Sequence, residues 1–386
     1  MLTLNRTISF FAISALLTFV GCGGESTSGP TGPTPVGRLN SSLEASKHAP
    51  PSRFYSQHNL VSDGAVRADL VDPDLVNAWG LVSSATSPWW VSDNGTAVAT
   101  LYNGNTGAKL GLTVTVPGAP TGVVFNGTTS FAVTKGSASG PARFIFASED
   151  GTISGWNPTV AATDAIVGVD KSNIGAVYKG IAIAQTSAGD RLFATNFNAG
   201  TVDVFDAMFH QVHAGFEDRD LPRGYAPFGI RNLGGVIYVT YALQDADRHD
   251  DVAGHGHGFV DAFDLEGHLL GRVASRGRLN SPWGLAIAPD DFGRFGGDLL
   301  VGNFGDGTIN AFDLGGDRGR DALRQRGPLH SADGRPLVID GLWAIAFGND
   351  AAAGPSGTLF FTAGPFHEAH GLFGKIEVVP GAGKRE

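Results

Sequence analysis

The chain of 386 residues contains one cysteine and two methionines, and charged side chains occupy only 17% of its positions. A single cysteine, Cys22, excludes an intramolecular disulfide and any cysteine-built metal cluster. No apolar run after Cys22 approaches the length needed to cross a bilayer. Familiar catalytic signatures are missing as well. HEAH at His367 to His370 is not H-E-x-x-H, G-x-S-x-G does not occur, and no glycine-rich loop leads into a helix to cradle phosphate. Basic residues are in the minority. With 27 Lys and Arg against 37 Asp and Glu, the formal charge of −10 disfavours nucleic acid and anionic surfaces as partners.

Glycine, by contrast, is abundant, at 56 residues, and it is arranged in a repeat. LLVGNFGDGTINAFD, from Leu299, matches LFATNFNAGTVDVFD, from Leu192, at Leu, Asn-Phe, Gly-Thr and Phe-Asp without a gap. Six copies follow from the same comparison. Each opens with a small-residue strand: WGLVSS at Trp79, TGVVF at Thr121, KGIAIA at Lys179, FGIRNL at Phe228, WGLAIA at Trp283 and WAIAFG at Trp343. The second place is glycine in five copies and Ala344 in the sixth, as expected where backbones crowd together.

A second strand follows in each copy (WWVSD, RFIFAS, RLFATN, VIYVTY, DLLVGN, TLFFTA), then a polar turn and a third strand (AVATLYN, TISGWN, TVDVFD, FVDAFD, TINAFD, GKIEVV). Apolar residues run nearly unbroken in the second strands and alternate in the third. That predicts central strands covered on both faces and third strands covered on one. Fourth strands are legible mainly as GLTVTV and HLLGRV. Copies begin 42 to 60 residues apart, which suits four-stranded blades with variable loops. The fold expected is an all-β, six-bladed propeller of NHL/TolB-like type; a β-sandwich would not require six glycine-led strands.

The last copy runs out of chain before a fourth strand, leaving only GAGKRE after Pro380. The unassigned stretch Phe54 to Ser62 is therefore expected to complete that blade, antiparallel to Lys375 to Val379, so that no bare edge remains.

Before the repeats, MLTLNRTISFFAISALLTFVGC has one basic residue and then an apolar run, the layout of an export signal. Phe19-Val20-Gly21-Cys22 resembles a bacterial lipobox, which implies cleavage after residue 21 and acylation of Cys22; the alternative is a secreted protein cut elsewhere. Residues 22–52 are rich in Gly, Ser, Thr and Pro and read as a flexible tether, and 53–386 as the propeller. The expected location is exported and lipid-anchored at the cell envelope. Gly23 in place of Asp after the cysteine points to the outer membrane in a Gram-negative host.

LVSDGAVRADLVDPDLVNAWGL, ARFIFASEDGTISGWN, GYAPFGI, YVTYALQDADRHDDVAG, LNSPWGLAIAP, IDGLWAIAFG and LFFTAGPFHEAHGLFG together resemble a family of uncharacterised exported bacterial β-propellers, some with PEP-CTERM sorting tails. The likeness runs from Leu60 to Val379 and implies the propeller fold with no established activity.

Chemistry is expected at one channel mouth, where the loops entering each first strand meet those joining the second and third. The candidate ligand or metal set there is Asp93, Asn94, Glu149, Asp150, Asn196, Asn303 and Asp306. Gln244, Asp245, Asp247, Asn198 and Glu368 lie in the same class of loop. Two readings fit these residues: oxygen ligands for a hard cation such as Ca²⁺, or turn formers. The long insertion from Ala242 to Gly258 carries Asp245, Asp247, His249, Asp250, Asp251, His255 and His257, either a metal loop or a solvated one. Among the aromatic and cationic residues that begin the repeats, Trp283 and Trp343 are expected in the core, and Lys179 is left open. Two functions remain: an envelope-anchored binding module for a small-molecule, glycan or protein ligand, or a calcium-dependent lactonase or phosphotriesterase-like hydrolase. The second rests on fold-level analogy alone.

Overall fold

The computed structural model describes residues 52–213, 215–315 and 324–380. Cys22, the signal and the tether lie outside them. Among the described residues there is no α-helix; strands form five four-stranded sheets, one five-stranded sheet and a separate two-stranded hairpin. The six larger sheets are the blades of the propeller. Their innermost strands are Ala78–Val82, Pro120–Phe125, Tyr178–Thr186, Tyr225–Leu233, Pro282–Ile287 and Leu342–Phe347, each antiparallel to the next strand of its own blade.

The repeated glycine has the role its position suggested. A Cβ on Gly80 would lie 2.4 Å from the Thr121 carbonyl oxygen of the next blade, and one on Gly229 would lie 2.2 Å from that of Trp283. Inner strands can come this close only where one of them lacks a side chain. Hydroxyls join the blades further. Thr121 donates to the Tyr178 carbonyl at 2.8 Å and Thr195 to that of Phe228 at 2.7 Å.

Second strands such as Trp89–Asp93, Phe144–Ser148, Leu299–Asn303 and Leu359–Ala363 are buried along their whole length, as their apolar runs predict. The third strands differ from expectation. Their alternating polar residues Thr100, Ser154, Asp203, Asp261 and Asn310 are buried too. Several find partners inside the fold: Thr100 donates to Asp93, the Tyr178 hydroxyl to Asp203, and Arg272 pairs with Asp261. Neighbouring blades cover the third strand on both faces, so alternation here reports internal hydrogen bonding and not solvent. Exposure begins at the fourth strand, as in Lys109–Thr115 and Leu269–Ser275.

The ring closes through its two ends. Tyr55–Ser62 pairs antiparallel with Leu372–Val378, matching Tyr55 with Val378 and His58 with Lys375, with a bulge between Asn59 and Val61. The short strand Leu70–Val71 then adds parallel to it as a fifth strand, which the sequence did not suggest. Tyr55 is fully buried among Phe292, Phe295 and Ile376, and its hydroxyl donates to the Phe292 carbonyl at 3.2 Å.

Candidate channel-mouth site

Where the innermost strands begin, an aromatic plug crosses the channel. Trp79 stacks on Trp343 at 3.6 Å and Phe304 on its other side at 3.9 Å, while Trp283 meets Trp343 edge-on at 5.9 Å. Trp343 is in the core as expected, but Trp283 is only half buried and also faces the channel cavity. The Trp79 indole N–H is buried with no acceptor among the described residues, although such a donor normally finds one.

Polar side chains gather on this plug. Lys179, 2% exposed, reaches from the innermost strand of the third blade to bond Glu149 in the turn after Phe144–Ser148. Its Nζ also donates to Asp250 at 3.1 Å and lies 5.3 Å from the Trp79 ring. Asp250 comes from the long loop of the fourth blade and is held by His249 Nδ1 at 2.9 Å. Asn94 donates to Glu149 at 2.9 Å and accepts from Asn77 at 3.1 Å. Asn77 in turn donates to Glu368 at 2.7 Å and accepts from the Trp343 indole N–H at 2.9 Å. Residues from blades one, two, three, four and six thus form one network.

Burial works to lower the pKa of Lys179, but Glu149 and Asp250 outweigh it and hold the ammonium above its ordinary range. Burial pushes Asp250 upward, and Lys179 with His249 overcomes this to keep the carboxyl below its usual value. Glu368 goes the other way: burial raises it, opposed by the hydrogen bond from Asn77. It belongs to a run, Phe366, His367 and Glu368, in which three consecutive non-glycine residues have φ of 56°, 57° and 66°. Such conformations cost free energy and persist where the surroundings impose them. Here the run aims Glu368 at Asn77 and leaves Phe366 55% exposed.

Of the seven candidate mouth residues, Asn94 and Glu149 enter this network. The other five are hydrogen bonded within their own blade or the loop entering it. Asp93 is fully buried and accepts from Thr100 at 2.7 Å. Asp150 accepts from Thr152, Asn196 bonds Asp203, Asn303 donates to the Arg278 carbonyl, and Asp306 caps Thr308. From the insertion, His249 arrives at the mouth. Asp245 accepts from the His249 amide, Asn198 donates to the Asp247 carbonyl at 3.5 Å, His255 is exposed, and His257 bonds the Val252 carbonyl. Sequence reasoning missed Asn77, whose φ of 47° fits an Asn that precedes a strand. Asp250, expected only as part of the insertion, instead joins the mouth network.

Glu149, His249 and Asp250 present ligand atoms within 4.8 Å of one another. They do not fit Ca²⁺. The Lys179 ammonium is bonded to both carboxylates and so takes the place a cation would need, and a hard ion requires six or more oxygens.

The fold and this mouth define a six-bladed β-propeller. Over 335 residues the chain is 34% identical to uncharacterized protein R648 of Acanthamoeba polyphaga mimivirus, covering 82% of this chain and 78% of that protein. It is also 34% identical over 301 residues to uncharacterized protein L690 of the same virus, covering 74% of this chain and 77% of that one. The chain belongs to the family of these uncharacterised proteins. No family model matches it. Among solved structures it is similar to a protein of unknown function from Bacteroides thetaiotaomicron, with a TM-score of 0.51 and 11% identity over 84% of this chain and 76% of that one, a likeness of fold alone.

Proposed function

We propose that this propeller is a binding module whose mouth recognises a neutral or cationic ligand, and that it works at a bacterial cell envelope, held there by lipid on Cys22. The observation that carries the first part is the Lys179 ammonium between Glu149 and Asp250. It fills the centre of the mouth with a fixed charge and leaves acceptors on Glu149, Asp250 and Glu368 around it. A ligand bearing hydroxyls or an amine meets complementary groups there, with the half-buried Trp283 and exposed Phe366 as apolar surface nearby. The second part is supported by the export-signal layout, the single cysteine after it and the polar tether.

Calcium addition tests the mouth. The protein is expected to melt at the same temperature with Ca²⁺ and with chelator, and to leave lactones and phosphotriesters intact. The Lys179→Met variant, with two carboxylates released, is expected to gain a Ca²⁺-dependent rise. Stoichiometric calcium in the wild type would overturn this reading in favour of the hydrolase.

A further inference from the structure

On the other side of the aromatic plug the channel widens into a cavity of about 280 Å³. Its lining comes from the later part of the innermost strands, including Ser83, Phe125, Ile183 and Asn232, so it opens away from the mouth network. Among the described residues that line it, Arg231 alone carries a charge. At the equivalent place the other five copies have Val82, Val124, Ala182, Ala286 and Ala346.

Arg231 extends across the channel. Its Nη1 donates to the Leu285 carbonyl at 3.3 Å on the inner strand of the adjacent fifth blade and to the Ile345 carbonyl at 2.7 Å on that of the sixth. The guanidinium has five N–H donors in a planar fork, and those on Nε and Nη2 have no acceptor among the described residues. Among the described residues no carboxylate pairs with it. Burial, the one influence on it, pushes its pKa down to about 10, so it stays protonated at neutral pH. Arg231 is partly exposed where it lines the cavity, so an anion entering there can supply the counter-charge that two carbonyl dipoles do not.

We propose that this cavity is a binding site for a small carboxylate with a compact apolar body, its carboxylate engaged side-on by Nε and Nη2 of Arg231. The fork geometry matches two carboxylate oxygens. Leu81, Val123, Ile181 and Leu285 form apolar walls that favour a hydrocarbon or ring over a second charge, and the volume limits the ligand to a small molecule. The charged contact is separate from the mouth network, since Arg231 bonds none of its residues, although Trp283 borders both spaces.

Calorimetric titration of the purified protein in low-chloride buffer tests this with benzoate, its neutral isostere benzamide and inorganic phosphate. Benzoate is expected to bind one to one, and benzamide at least about tenfold more weakly, because it cannot meet the charge. Arg231→Met should reduce benzoate affinity by a similar factor. Arg231→Lys, which retains the charge without the fork, should fall between the two and serves if the methionine variant does not fold, as judged by circular dichroism. Equal binding of benzamide, undiminished benzoate binding by a folded Arg231→Met, or no saturable benzoate binding at millimolar concentration would overturn the proposal and leave Arg231 as a staple between inner strands. Phosphate binding as tightly as benzoate would overturn the assignment to a carboxylate with an apolar body.

Discussion

Replacing Tyr55 with alanine should loosen the ring at its closure. Tyr55 is 0% exposed, packs 4.9 Å from Phe292 and 6.0 Å from Phe295, and donates its hydroxyl to the Phe292 carbonyl. It therefore ties the first strand of the domain to the fifth blade as well as to the sixth, whose last strand it pairs with. Removing a buried ring of this size costs about 3–5 kcal/mol, and the lost hydrogen bond is about 1 kcal/mol of that loss. Tyr55→Phe, which keeps the ring, should consequently cost only about 1 kcal/mol. At roughly 2 °C per kcal/mol for a chain of this length, the alanine variant should melt about 6–10 °C lower and the phenylalanine variant about 2 °C lower. Urea unfolding followed by tryptophan fluorescence gives the free energies, and scanning calorimetry the melting points. A chain beginning at Asp63, which lacks the whole closing strand, should aggregate or melt lower still. If Tyr55→Ala and the shortened chain both unfold like the wild type, closure by this strand does not hold the ring together and the reasoning fails.

Gly229→Ala should destabilise the protein by about 3 kcal/mol or more, because its Cβ would meet the Trp283 carbonyl oxygen at 2.2 Å and backbone would have to move. Gly111→Ala, with open space around it, should be neutral or slightly stabilising; equal effects of the two would refute the account of blade spacing. Burial raises the pKa of Asp93 well above the ordinary value, against the hydrogen bond from Thr100, so the folded protein takes up a proton that the unfolded chain lacks. Stability from this group is greatest below about pH 4 and is lost as pH rises toward the folded value, at up to about 1.4 kcal/mol per pH unit. Asp93→Asn should thus raise the melting temperature at pH 7 with a gain that shrinks on acidification, and a gain independent of pH would contradict the assignment. Cys22→Ser should move the protein from the membrane fraction to a soluble or uncleaved form; unchanged fractionation with no acylated N-terminal peptide in mass spectra would remove the anchor.

Repetition made most of the fold legible in the sequence. The glycine near the start of five inner strands, the apolar second strand and the Gly-Thr turn of four copies recur because the blades solve the same packing problem, so one copy interprets the next. Counting strands was enough to require a closing strand, since an unfinished blade exposes an edge, and Phe54 to Ser62 was the stretch left to supply it. The site was less legible because Asp and Asn serve turns and ligands equally well. Asp150 and Asp306 look like Glu149 in sequence, yet they satisfy their own turns, whereas Glu149 meets a lysine from the next blade. The third strands misled for a related reason: their alternation is real, but a neighbouring blade occupies the face where water was expected. The sequence by itself determined the number of blades, the order of strands within them and the way the ends meet, all set by short-range pattern and chain length. Only the tertiary structure decided that Lys179, Glu149, Asp250 and Glu368 share one mouth and that Arg231 stands alone in the channel below. Those residues lie on different blades, and their separation in space depends on how six sheets wind about an axis that no local pattern records.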